Sequence, residues 1–270
     1  MAVSKEQKAE FDRNITDFKN YIEELKKETN FIKAQMKKSK DLEPYYQIAL
    51  VLSSIRLMNT CVLINRLSSN IMNLKSELYL NIARKEIYSV LSSMEKVFGK
   101  NFEDGLDDNR ELLEKVTLFN PKQRLNFLLA FRQTIYEIIE AYEAGAGSKW
   151  KWSFPDIHFQ LAVLAKNMMD FRALERESDL ENPYYYVRRE HYDLIIELAN
   201  KAAQEFRAKF EFSTKDVSDL RKSVNTLEMI RQIYQLTGRM DDLVRTKNII
   251  DAQNAKIASM EEDKTKKKKK

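Results

Sequence analysis

Glycine and proline are scarce in this chain, 5 and 4 of 270 residues, and cysteine occurs once, as Cys61. So few breakers leave little room for turn-rich β architecture, and no period-two alternation competes with helical spacing. A single cysteine excludes an intramolecular disulfide and a cysteine-based zinc site. The two histidines, His158 and His191, fall on separate predicted helices. Neither forms the Glu-x-x-His pair that a di-metal carboxylate bundle needs. No two glycines have phosphate-loop spacing. The expectation is a non-enzymatic protein with no metal, no cofactor and no small-molecule substrate.

Long hydrophobic runs are lacking too. Ile48 to Ile64 comes nearest, but Ser53, Ser54, Arg56 and Asn59 interrupt it. It reads as a helix buried on several faces and not as a membrane span. Met1 through Phe11 has no apolar signal region. A cytoplasmic location is expected if the chain is full length, although a mature exported protein would begin in the same way. Basic residues number 46 against 41 acidic, for a net charge of +5. Lys264 and Lys266 to Lys270 supply six of the 46, which leaves 40 against 41 in the rest of the chain. The basic character therefore belongs to a C-terminal tail.

Long helices are what the sequence does contain. Each proline stands where a helix opens, at Pro44, Pro121, Pro155 and Pro183, and each glycine falls in a gap. A first helix is predicted from Ser4 to Lys38, with Ser4 and Gln7 as a capping box. Its apolar positions, Phe11, Ile15, Phe18, Ile22, Leu25, Thr29, Ile32 and Met36, alternate four and three apart in a coiled-coil-like seam. A second helix is predicted from Pro44 without a break to Gly99, roughly 80 Å at 1.5 Å per residue. It overhangs the first, so Ile82, Ile87, Val90, Leu91, Met94 and Val97 need cover from later helices. Asp108 with Glu111 caps a short third helix, and Asn120-Pro121 starts a fourth that ends at Gly145 to Ser148. Pro155 opens a fifth helix running through Phe171, Pro183 a sixth, and Ser213 with Asp216 a seventh. Gly238 turns the chain into an eighth. The predicted fold is all-α: a long antiparallel helical hairpin arm (1–98), a multi-helix bundle (99–260) and a disordered Lys-rich tail (261–270), elongated overall.

Leu227, Ile230, Tyr234, Gly238, Met240 and Leu243 resemble the turn region of a single tetratricopeptide repeat, with the glycine between its two helices. The resemblance covers residues 224–252 and implies a helical hairpin there.

The favoured function is a structural or adaptor protein that assembles through its helices with other chains, identical or different. Phe11, Phe18 and Phe31 on the arm are candidate partner-binding residues. Trp150 and Trp152, both tryptophans of the chain, stand together in one loop and have hot-spot composition. Tyr185, within Tyr184-Tyr185-Tyr186, is a further candidate, since three successive rings cannot all face a core. The Tyr45-Tyr46 pair, also in a first helical turn, offers the same two readings, a partner surface or rim packing, with rim packing favoured. The alternative is a peripheral binder of anionic membrane or nucleic acid through Lys266, Lys267, Lys268, Lys269 and Lys270. Such contact is weak and salt-sensitive.

Overall fold

The computed structural model describes residues 3–102, 106, 109–144, 151–176 and 179–268, with side chains through 262. The described residues are all-α. In chain order they form α1 (Lys5–Asn14), α2 (Thr16–Lys38), α3 (Glu43–Met72), α4 (Glu77–Phe98), α5 (Arg110–Glu114), α6 (Pro121–Glu143), α7 (Phe154–Asn167), α8 (Phe171–Arg176), α9 (Tyr185–Lys209), α10 (Val217–Leu236) and α11 (Met240–Lys268). They belong to two compact units, Met1–Gly99 with Glu114–Lys151, and Lys100–Leu113 with Trp152–Lys270. The first unit is thus larger than the expected 1–98 arm, because it takes in α6.

In the first unit the capping box forms as predicted, with Ser4 Oγ accepting from Gln7 N–H and Gln7 Oε1 accepting from Ser4 N–H. The predicted single first helix is divided at Ile15 (φ −95°, ψ 0°). Around it Asn14 Nδ2 and Thr16 Oγ1 donate to the carbonyls of Glu10 and Asp12. Such side-chain bonds compete with the helical ladder and bend it. Beyond the break, Ile22 and Leu25 are buried, as is Ile15 itself. The seam lies along α3 of the same chain. Gln7 bonds the carbonyl of Ile71, Glu28 pairs with Arg56, and Gln47 reaches Met36, so the two segments run in opposite senses.

The predicted unbroken helix from Pro44 to Gly99 is also corrected. It ends at Met72, and α4 folds back onto α3, so there is no overhang. Asn73 adopts the left-handed conformation (φ 54°) that ends many helices and that asparagine tolerates better than most residues. Two buried side chains of α3 close the turn: Asn65 Oδ1 accepts from Ser76 N–H, and Ser68 Oγ donates to Leu74 O. Ile87, Val90, Leu91, Met94 and Val97 are buried as the sequence requires, but in this fold-back, and Ile82 is only half-buried. α6 packs on both α3 and α4. Thr134 donates to Asn59, and the Tyr142 hydroxyl donates to Asn81. The stretch Lys40–Met72 is long and apolar enough to cross a bilayer, and 61% of its apolar window is buried inside the protein.

In the second unit α7 packs on α9, α9 on α10, and α10 on α11. α7 is buried on nearly every side, including Lys166, whose ammonium donates to the carbonyl of Asn101 at 3.4 Å. The predicted fifth helix stops at Asn167, and Phe171 begins the separate α8. At the C-terminal end of α9 a π-turn, Phe210–Thr214, precedes α10. Asp216 caps α10 through Ser218 N–H. Gly238 takes φ +65° between α10 and α11, the turn expected there. α11 is helical to Lys268, through most of the segment read as a disordered tail. Asp108, Gly145 to Ser148, Trp150, Lys269 and Lys270 lie outside the described residues.

Candidate docking groove

In the first unit a groove of about 470 Å³ opens between the start of α3 and the segment that leads into α6. Tyr45, Ile48 and Leu52 form one wall, and Leu118, Phe119, Gln123, Asn126, Phe127 and Ala130 the other. Helical spacing explains the first wall. Residues 45, 48 and 52 lie three and four apart, which places them on one stripe of α3.

The second wall rests on an aromatic chain. Phe98, Phe119, Phe127 and Phe131 follow one another with ring centroids 5.9–6.4 Å apart. That spacing lies within the favourable range for aromatic pairs. It holds the turn at 116–119 against the unit. Phe119 N–H donates to Val116 O, which closes the turn. Arg124 Nε donates to Phe119 O at 2.7 Å, and Leu118 N–H donates to the Tyr45 hydroxyl at 3.2 Å across the groove. Asn120 and Gln123 form a reciprocal capping box that fixes the start of α6. Val116 is fully buried, whereas Leu118 between these anchors is 77% exposed. The result is a fixed turn that presents a leucine to solvent beside an apolar trough.

The candidates chosen from sequence lie elsewhere. Phe11 and Phe18 are half-buried, and Phe31 is 63% exposed on α2. Trp152 is half-buried just ahead of α7 and makes contacts of its own, and Phe154 beside it is buried. Tyr185 is half-buried, its ring edge-on to Tyr186 at 5.1 Å with the Arg189 guanidinium 5.4 Å from its centre. Tyr186 is the outward ring, 70% exposed. Lys266 to Lys268 occupy the last turn of α11. None of these residues lines the groove. Tyr45, read as rim packing, does. Leu52 and Leu118 escaped the reading, because an apolar residue amid apolar neighbours carries no sign of its exposure.

The groups that would carry chemistry are enclosed. Among the described residues no three of His, Cys, Asp and Glu converge as a metal site would need. His158 is buried with Nδ1 2.5 Å from Glu205 Oε2, and His191 Nε2 lies 3.0 Å from the carbonyl of Ala165. Cys61 is buried, and desolvation pushes its thiol up to about 12, with the charge of Glu86 adding to the shift. Such a thiol is inert.

Compared with known proteins, the chain matches the model of the TP0443 family over residues 7–262. No curated protein and no solved structure matches it.

Proposed function

We propose that this chain, which belongs to the TP0443 family, is a non-enzymatic structural or adaptor protein that assembles with other protein chains through its helical surface. The groove between α3 and the 116–130 segment carries this reading. It joins an apolar trough of about 470 Å³ to a fixed turn that exposes Leu118. Exposed leucines scattered singly need no explanation, but an exposed leucine on a fixed turn, continuous with an apolar trough, makes a patch that another chain can cover. Gln123 and Asn126 at its edge supply the polar rim that protein interfaces have. Apolar side chains from another chain, presented at helical spacing, suit such a groove.

Site-specific photo-crosslinking tests the reading. A benzophenone side chain at Asn126, in the cells that make the protein, should give a discrete adduct with a protein chain. The same group at exposed Lys247 on α11 should not. Filling the trough with Ala130→Trp should abolish the adduct. Equal labelling at both positions, or no protein adduct at either, would remove the basis for an assembly role at this surface.

A further inference from the structure

We infer that a pocket in the second unit binds the terminal carboxylate of an apolar amino acid, free or at the end of a peptide. Arg207 and Lys256 hold the carboxylate, and Gln253 takes the N–H on the neighbouring carbon. The pocket, about 300 Å³, lies between the C-terminal end of α9 and one face of α11, with Leu220 of α10 in its wall. The site is separate from the groove of the first unit and does not depend on the role proposed there.

The cations come first. Residues 249, 252, 253 and 256 stand at helical spacing and share one face of α11, and Arg207 and Glu211 lie one turn apart where α9 ends. Arg207 Nε donates to Glu211 Oε1 at 2.9 Å. That bond fixes the guanidinium and leaves its two terminal nitrogens unbonded among the described residues. The Lys256 ammonium stands 4.9 Å from the centre of the Phe210 ring, with no ion-pair partner among the described residues. The Arg207 bond, with the charges of Arg207, Lys256 and Lys215, outweighs desolvation and holds the Glu211 carboxyl below its ordinary value. Glu211 is therefore ionised and engaged by Arg207, while the outer edge of Arg207 and the head of Lys256 face the pocket uncommitted. A planar guanidinium edge matches a carboxylate, and a charged acceptor makes the stronger hydrogen bonds.

A buried amide is the independent sign of a ligand. Gln253 lines the pocket and is only 7% exposed, and its Oε1 has no hydrogen-bond partner among the described residues. Buried acceptors are rarely left unpaired, because the lost hydration is not replaced. Gln253 stands on the buried stripe of α11 with Ile250 and Ile257, where an aliphatic residue would carry no such penalty. A ligand N–H supplies what this oxygen lacks. Leu220, Ile249 and Ala252 complete the lining and suit an aliphatic side chain. A carboxylate, an N–H beside it and an aliphatic body are together the end of an apolar residue. A volume of about 300 Å³ is at the small end of ligand pockets and fits one residue better than a large cofactor.

Calorimetric titration of the full chain with four probes tests the assignment. Leucine and N-acetyl-leucine carry every required group, whereas N-acetyl-leucinamide lacks the carboxylate and 4-methylpentanoate lacks the N–H. One or both of the first two should bind saturably at millimolar concentration or below. Each of the last two should bind about tenfold or more weakly. Tighter leucine marks a free amino acid, whose ammonium also meets Glu211; tighter N-acetyl-leucine marks the end of a peptide. Arg207→Gln and Lys256→Gln should each weaken the tighter probe by about tenfold, with helical content unchanged. Gln253→Leu separates binding from packing. It should unfold at the same or a higher urea concentration than wild type, since it removes an unpaired acceptor. It should also bind the tighter probe no better than 4-methylpentanoate. No saturable binding of leucine or N-acetyl-leucine, equal binding of N-acetyl-leucine and its amide, or affinity indifferent to Arg207→Gln and Gln253→Leu would overturn the inference. Ready unfolding of Gln253→Leu would also overturn it, by showing that the amide serves the packing.

Discussion

Single side chains decide where the helices stop. Asn65 and Ser68 look like polar interruptions of an apolar stripe, yet they bond the backbone of the turn that reverses the chain. Asn65→Leu would leave the Ser76 N–H without its acceptor. It should cost about 1–3 kcal/mol, the usual penalty for an unsatisfied backbone donor, measured by urea unfolding. Asn73→Gly keeps the left-handed conformation available and should stay within a few tenths of a kcal/mol of wild type. Equal losses from both would mean that Asn65 acts by packing alone. Cys61 offers a second test. Burial holds its thiol neutral up to about pH 12, against 9.0 when exposed. The native protein should not react with a thiol reagent at pH 8, and one equivalent should react once it is denatured. The sign of the pH dependence follows. The unfolded chain ionises this thiol from about pH 9 while the folded chain keeps its proton. The stability contributed by the neutral thiol is therefore full below pH 9 and lost as pH rises toward 12.

At the scale of elements, helices were legible and their breaks were not. Periodicity located α2, α6, α7, α9 and α10, and the capping box at Ser4 and the Asn120-Pro121 pair gave two of the starts. The reversal at Asn73 carries neither glycine nor proline, and the side chains that stabilise it lie on the preceding helix. A reading that runs along the chain does not reach such a partner. The π-turn after α9 has the same character. It is held by a network in which Lys209 pairs with Asp219 at 3.1 Å, Thr214 donates to Asp219 at 2.7 Å, and Lys222 pairs with Asp156 at 2.6 Å. The members differ in burial, and that difference predicts their worth. Asp219 is buried, with its side chain 6% exposed, and Lys209 is nearly so. Asp219→Ala takes the nearer carboxylate from a largely enclosed ammonium, leaving it Asp156 at 4.0 Å, and should cost up to about 3–5 kcal/mol. Asp156 is 40% exposed, and Asp156→Ala should cost no more than about 1 kcal/mol. Urea unfolding of the two variants checks the ranking; comparable losses would mean that burial does not set the strength of this network.

At the scale of the whole molecule, the division at residue 98 expected from sequence places α6 on the wrong side. Composition changes little along the chain, and α6 has the apolar spacing of any bundle helix, so its location becomes visible only through its partners. Those partners are α3 and α4. Lys75 donates to the carbonyl of Tyr142, Tyr142 to Asn81, and Thr134 to Asn59. The inner face of α6, Leu125, Leu128, Phe131, Ile135 and Ile138, is buried. A fragment of residues 1–98 lacks this face and uncovers the sides of α3 and α4 that it protects. The α3 and α4 surface that five large side chains cover is worth roughly 1.5–3 kcal/mol for each of them at about 0.025 kcal/mol per Å², comparable to the whole margin of a typical domain, about 5–15 kcal/mol. The fragment should lack a cooperative melt and bind a hydrophobic dye. A fragment of residues 1–151 should melt cooperatively, because it restores α6 and the Phe98–Phe119–Phe127–Phe131 chain that supports the groove. A sharp, two-state transition in the 1–98 fragment would show that the hairpin of α3 and α4 is self-sufficient. In that case α6 would be only a cover, and the groove between α3 and α6 would belong to a separable layer.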